Sequence, residues 1–260
     1  MSKSKKVIYL AISILVIAMI IYFVVAKPKI SKFKMLDRAT EIADAKNRGN
    51  RVGGWVRVEG TNIDMPVIVT SPGLYKDKNV NGSYGTVYSR PDSETNHPSV
   101  VSHNIRNVSR KPIVGDDTMT GFEQLMSFIY LDFIKENQYI AYTDVNGKQS
   151  IYKIYAVSLI NDDQKATYKD TYTEQEEDEY IDKAKNESMY DIDVDVDATD
   201  KQISLLTCTR FYGSDTSYSF KVDARELRTG EKQQLAKVKT NNNYKKIEKR
   251  MKEGTKNDKA

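Results

Sequence analysis

The segment Ile203–Arg210 constrains this chain most, because it joins an apolar run to the chain's single cysteine. Cys208 ends the run, and Arg210 follows two residues later. Such a run is typical of a strand with a buried face. With one cysteine in 260 residues no internal disulfide is possible, so the domain needs an ordinary apolar core. A thiol at the end of a rigid strand suits a nucleophile, but a lone cysteine is often an inert buried residue. The segment alone leaves both interpretations open.

The N-terminus predicts a membrane anchor. Three lysines in residues 1–6 precede Val7–Ala26, a stretch of 20 residues without charge, and Lys27 follows it. That length matches the hydrocarbon core of a bilayer, and the lysines favour a cytoplasmic N-terminus. A cleavable signal peptide has a shorter apolar region and a small-residue cleavage site, which Val24–Ala26 fits poorly. We therefore expect a cytoplasmic segment 1–6, a transmembrane anchor 7–26 that contacts lipid, and an extracellular domain at 27–228.

The charge distribution and the motifs limit the classes of ligand that we expect this chain to bind. Residues 229–260 carry ten Lys or Arg against four Asp or Glu, and we expect a basic, flexible C-terminal tail. The excess of positive charge lies at the two chain ends, so the chain's net charge of +4 gives no indication of nucleic-acid binding. No metal site is predicted, because Asp191–Asp197 lacks the glycine and glutamate of a calcium loop and the His and Cys spacing does not suit zinc.

Between the two ends the pattern predicts a mainly β domain with inserted helices. Asp144–Gly147 suits a hairpin turn, and Thr173–Glu176 has the form of a capping box that opens a helix. Strands and helices do not alternate regularly, which favours a barrel or sandwich over a doubly wound sheet. The predicted strands are Trp55–Val58, Ile63–Val69, Gly85–Tyr88, Ser99–Asn104, Tyr139–Thr143, Ile151–Leu159, Ile203–Cys208 and Tyr218–Leu227, and the predicted helices are 29–50, 119–133 and 173–184.

The chain has two histidines, and they differ in setting. His103 ends a short apolar strand, as Cys208 ends another, so two strands that end at the same rim would bring an imidazole beside the thiol. A nearby imidazolium or guanidinium favours the reactive thiolate. His97 precedes a proline in a polar stretch, and we expect it to be a solvated loop residue.

Several ordered motifs resemble those of the sortase family. Leu205–Cys208 is similar to the sortase cysteine motif, with Ser204 in place of its first threonine, and Ser102–Asn104 resembles the histidine motif Gly-His-Asn. The pair Gly54–Val58 and Thr61–Val67 resembles the opening of class B sortases. The resemblance extends over about residues 29–228, and the N-terminal anchor agrees with it.

The resemblance implies a sortase-type eight-stranded β-barrel with an N-terminal helix, and a cysteine transpeptidase that needs no cofactor. Cys208 would attack a carbonyl in the C-terminal sorting motif of a secreted protein and form a thioester. An amine from a peptidoglycan precursor or a pilin lysine would resolve it, with His103 as general acid and base. An arginine would stabilise the oxyanion.

The arginine departs from the family pattern. Sortases usually carry it at the start of the strand after the cysteine, and here Thr216–Ser219 holds no basic residue. We expect Arg210 to serve instead, with Arg225 as the alternative. From their proximity to the motifs, we expect the substrate-binding groove to be lined by Ser102, Asn104, Thr207 and Thr209.

Two other functions stay open at this point. A thiol hydrolase on the same scaffold would release peptides into water. A surface-anchored binding module would keep the barrel without catalysis.

Overall fold

The computed structural model describes residues 9, 12–17, 19, 28–47, 51–69, 87–90, 96–161, 172–213 and 218–253. The chain divides into two units, Met1–Ile30 and Ser31–Ala260. Most of the predicted anchor, 7–26, lies outside the described residues. Within the part of the chain that the structure describes, no helix is sufficiently long and apolar to cross a bilayer.

The second unit holds the domain. Its elements, in chain order, are α1 (Ala39–Asn47), β1 (Val52–Val58), β2 (Asp64–Val69), β3 (Val87–Arg90), β4 (Ser99–Ser102), a 3-10 helix (Glu123–Ile129), α2 (Leu131–Glu136), β5 (Tyr139–Asp144), β6 (Gln149–Asn161), α3 (Glu174–Glu187), β7 (Tyr190–Ile192), β8 (Gln202–Thr209), β9 (Tyr218–Glu226), β10 (Val238–Thr240) and α4 (Asn242–Glu253).

The predicted mainly β barrel with inserted helices is confirmed. Among the described strands, eight pair in the order β1-β2-β3-β4-β8-β9-β6-β5, and the pairing of β5 with β1 closes the barrel. The pairs β2·β3 and β4·β8 are parallel, so the carboxyl ends of β4 and β8 meet at the same rim. Strands β7 and β10 form a separate two-stranded sheet.

The barrel interior holds the main apolar core. Buried and half-buried residues alternate along β1, as expected for a strand with one face inward. All seven residues of the 3-10 helix are buried, and Leu125 and Phe128 pack in the same cluster as Val56 and Leu205.

Local signals in the sequence are reproduced where partners are close along the chain. The Thr173 side chain accepts from the Glu176 amide, and the Glu176 side chain accepts from the Thr173 amide, so the predicted capping box opens α3. The predicted hairpin joins β5 to β6, with Gly147 at φ +82° in its turn.

Two predicted helices are shorter than expected. The helix predicted over 29–50 begins only at Ala39, because Ile30, Met35 and Leu36 are exposed and their spacing does not face a core. The helix predicted over 119–133 is divided at Tyr130, whose extended backbone (ψ 125°) separates the 3-10 helix from α2.

The prediction of a flexible tail from residue 229 is wrong for residues 229–253. Strand β10 pairs with β7, and α4 packs the buried side chains of Ile247 and Met251 against the main core. Arg250 donates from Nε to the Phe211 carbonyl (3.0 Å) and from a terminal nitrogen to the Tyr212 carbonyl (2.6 Å). Apolar burial outweighs the charge of this segment.

Candidate active site

The parallel pairing of β4 and β8 brings Cys208 and His103 together. Ser102 pairs with Thr207 in the last register pair of the two strands. His103 directly follows Ser102, and Cys208 directly follows Thr207. Neighbouring strands lie about 5 Å apart, so the two side chains share one rim. His103 is half-buried and Cys208 is exposed. The sequence-based expectation that two strand ends would meet here matches this geometry.

Strand β8 presents the thiol on a rigid element. Of its eight residues only Cys208 is exposed. Leu205 belongs to the interior core, so Thr207 also points inward and Cys208 points to the outer face of the barrel by strand alternation. His103, one residue after the inward-facing Ser102, shares that outer face. A thiol held this way is accessible without any opening of the core.

Arg210 lies just past the end of β8. Its side chain is exposed, and its carbonyl accepts from the Gly213 amide (2.8 Å) in the turn that follows the strand. Within the described residues its guanidinium has no hydrogen bond or ion pair. Along the chain this cation is two residues from Cys208.

Arg225, the alternative to Arg210, lies far from Cys208, so the prediction that it serves the site is wrong. It pairs with Gln202 at the opposite end of β8, whereas Cys208 pairs with Ser219. Six residues along β9 separate the two positions, which corresponds to about 20 Å. The Arg225 guanidinium is buried and bound to Glu231 at 2.5 and 2.8 Å. The residue opposite Cys208 is Ser219, which is buried.

The four residues expected to line a groove have buried side chains, so that prediction is wrong for their side chains. They brace the backbone around the site instead. The Thr207 hydroxyl donates to the Ser102 carbonyl (2.8 Å), and the Thr209 hydroxyl accepts from the Phe211 amide (3.2 Å). Their exposed fractions are 2% for Ser102, 4% for Asn104, 0% for Thr207 and 1% for Thr209.

His97 is a buried network residue, so its prediction as a solvated loop residue is wrong. It is 2% exposed, with Nδ1 3.1 Å from Glu177 Oε2 on α3 and Nε2 2.8 Å from Ser204 Oγ on β8. The Ser204 hydroxyl donates to Asp223 on β9 (2.6 Å). These partners are 80 and 107 residues from His97, so no local signal in the sequence predicted them.

This network differs from a catalytic triad despite its Ser, His and Glu geometry. Ser204 is fully buried and its proton is directed at Asp223, so it lacks both access and a free base. Tyr180 on α3 also donates to Asp223 (2.8 Å), and Lys221 lies 3.0 Å from the same carboxylate. The network therefore holds α3 on the outer face of β8 and β9, at the first half of β8.

No group of three or more His, Cys, Asp or Glu residues is arranged to hold a metal within the residues that the structure describes. The end of the acidic run binds an arginine instead. Arg228 contacts Asp195 at 2.6 Å, Asp197 at 3.0 Å and Asp200 at 2.7 Å. Hydrogen bonds that Arg228 donates to Asp200 and Asp195 raise the pKa of its guanidinium.

Comparisons with known proteins point to one family, although no family model matches the chain. Sortase B of Staphylococcus aureus is 25% identical over 176 residues, which cover 63% of this chain and 65% of that protein. The match thus spans about two thirds of the relative's length.

Solved structures share the fold. A mutant form of sortase B from Clostridium perfringens has a TM-score of 0.61 and 25% identity, covering 73% of this chain and 88% of that chain. The substrate complex of Staphylococcus aureus sortase B has a TM-score of 0.58 and 17% identity, covering 74% of this chain and 87% of that one.

Proposed function

Since this chain belongs to the sortase family and is class B-like, we propose that it is a membrane-anchored cysteine transpeptidase. It cleaves the C-terminal sorting motif of secreted proteins and transfers the acyl group to an amine. That amine is supplied by a cell-wall precursor or by a pilin lysine. The observation that carries the proposal is the exposed Cys208 thiol beside His103 at adjacent ends of parallel strands.

The chemistry divides into acylation and transfer. The Cys208 thiol passes its proton to His103 and its sulfur attacks a backbone carbonyl of the sorting motif, so that the carbonyl oxygen becomes an oxyanion in the tetrahedral intermediate. His103 gives that proton to the departing amine as the C–N bond breaks, which leaves a thioester on Cys208. The acceptor amine then attacks the thioester and loses a proton to His103, and this proton passes to the sulfur as the C–S bond breaks, which restores the thiol.

Arg210 stabilises the oxyanion in this proposal. Its exposed guanidinium is two residues from Cys208 and has no competing partner among the described residues. Positive charge beside a developing oxyanion lowers the barrier without changing the proton balance. We expect Arg210→Ala to lower turnover by about 10²–10³. An Arg210→Ala enzyme with near wild-type turnover would refute this assignment.

We propose that residues 7–26 anchor the protein in the cell membrane. The lysines before this uncharged stretch support a cytoplasmic N-terminus and an extracellular catalytic domain. Fusing a reporter to either end and testing its protease accessibility in intact cells measures the orientation.

The central experiment incubates the protein with a set of C-terminal sorting peptides, with and without triglycine, and detects products by mass spectrometry. We expect a thioester on Cys208 and, with triglycine, a transferred product. Cys208→Ala should abolish turnover, and His103→Ala should lower it by about 10²–10⁴-fold. The matched control is Lys201→Ala, at an exposed position just before the start of β8, and it should not change turnover.

The alternatives give different outcomes. A thioester that water resolves even with excess triglycine or a lysine peptide indicates a thiol hydrolase. If no peptide yields a thioester while the folded domain still binds the peptides, the chain is a binding module and the proposal fails.

A further inference from the structure

The segment that follows His103 is held by one buried carboxylate. Glu123, at the start of the 3-10 helix, is 1% exposed. Its Oε1 accepts from the backbone amides of Ile105 (3.3 Å) and Arg106 (2.9 Å). The backbone amides two and three residues after His103 therefore donate to a single oxygen atom, which fixes the path of the backbone there.

The other carboxylate oxygen completes the site. Glu123 Oε2 accepts from the Thr120 amide (2.9 Å) and from the Arg106 guanidinium (2.7 Å). Burial of Glu123 opposes ionisation, but the hydrogen bonds from Arg106 and Thr120 outweigh it and lower the pKa of this carboxyl. Every group that contacts the carboxylate is a hydrogen-bond donor, so position 123 requires a side chain that only accepts hydrogen bonds.

Two asparagines extend the same framework. The side-chain amide of fully buried Asn107 donates to the Glu123 carbonyl (2.8 Å). The Asn104 side chain donates to the Asn107 carbonyl (2.7 Å) and accepts from the Asn107 backbone amide (3.0 Å). The Phe122 amide donates to the His103 carbonyl (3.0 Å). Phe122 and Glu123 thus both contact the segment that runs from His103 to Asn107.

We propose that Glu123 is a positioning residue that acts through His103. By accepting hydrogen bonds from the backbone amides of Ile105 and Arg106, it fixes the direction in which the imidazole leaves the end of β4, toward Cys208. This inference rests on the proposed role of His103 as general acid and base. Misplacing a catalytic group by about 1 Å can cost about 10²-fold in rate, so the framework directly affects turnover.

The test uses Glu123→Gln and the sorting peptide that the wild type cleaves fastest. The glutamine amide nitrogen would face the Thr120 amide and the Arg106 guanidinium as a donor against donors. We expect kcat to fall by about 10-fold or more while KM changes less than about 3-fold, because positioning affects the reacting group rather than peptide binding. The matched control is Glu231→Gln, which loses a similar contact to Arg225 and a backbone amide at the other end of the barrel.

A second background separates positioning from a general structural effect. In His103→Ala, adding Glu123→Gln should change the residual rate by less than about 2-fold, because the group through which Glu123 acts is gone. A loss in that background equal to the loss in the wild type would overturn the proposal, as would an unchanged kcat in the single variant. If His103→Ala itself keeps wild-type kcat, the proposed function fails instead.

A milder variant covers the case in which Glu123→Gln does not fold. The Arg106 side chain is 47% exposed, so Arg106→Gln should fold and weaken only part of the grip on the carboxylate. We expect kcat to fall by about 2–5-fold, again only when His103 is present. Equal losses with and without His103 would count against positioning.

Discussion

Replacing Ile247 with alanine tests whether the C-terminal segment belongs to the folded domain. Ile247 is 4% exposed and packs in the main core from α4. The change removes three buried carbon groups, worth about 2.4 kcal/mol of transfer free energy, and a residual cavity raises the expected loss to about 2–5 kcal/mol. For a domain of this size that corresponds to a melting temperature lower by about 4–20 °C.

The assay is urea unfolding followed by circular dichroism, with the melting temperature as a second measure. We expect a lower midpoint with an unchanged m-value, since the surface exposed on unfolding stays the same. Lys246→Ala on the exposed face of the same helix is the matched control and should stay within about 0.5 kcal/mol of the wild type. An Ile247→Ala protein as stable as its control would mean that the segment is the flexible tail that composition suggests.

Three further predictions concern buried polar contacts. Thr207→Val leaves the Ser102 carbonyl without its hydroxyl donor and should lower the free energy of unfolding by about 1–3 kcal/mol in urea titrations. Tyr180→Phe removes a donor to Asp223 and should cost about 1–3 kcal/mol, measured in the same way. Burial raises the pKa of Glu59, so its favourable contribution is complete below the ordinary carboxyl pKa and is lost as pH rises through the raised value. The melting temperature of Glu59→Gln relative to the wild type should therefore increase between about pH 4 and pH 8.

Each of these has a contradicting result. Unchanged unfolding midpoints for Thr207→Val or Tyr180→Phe would show that water replaces the lost donors. A Glu59→Gln difference that is constant with pH would show that the wild-type carboxyl titrates alike in the folded and unfolded chains.

The strands and the candidate pair Cys208 and His103 were predictable because their signals are local. Apolar runs defined most barrel strands, and the capping box at Thr173 defined the start of α3. The position of Cys208 and His103 at strand ends led to the expectation that they meet. What the pattern alone did not give was the parallel register of β4 and β8, which depends on how the whole barrel closes.

The polar supports were not predictable, because their partners are far apart in sequence. His97 has the local surroundings of a loop residue, and only the folded barrel brings Glu177 and Ser204 to it. Glu123 lies in an apolar stretch whose spacing suggested a regular helix, whereas its carboxylate organises a segment 17–18 residues earlier.

The C-terminal helix was missed for a different reason. Its net charge is high, and composition therefore favoured a solvated tail. Tyr244, Ile247 and Met251 nevertheless follow helical spacing, and two of them are buried. Periodicity within a charged segment was the better guide to its structure.

The pairing of β4 with β8 also has a consequence for how the protein matures. Its register partners are 105 residues apart, the largest separation of any described barrel pair. Contacts that are distant in sequence carry a high cost in loop-closure entropy and are slow to form. The thiol and the imidazole thus meet only when the two halves of the chain have joined. In an emerging or partly unfolded chain the two residues are still apart, and only the assembled barrel places the imidazole beside the thiol.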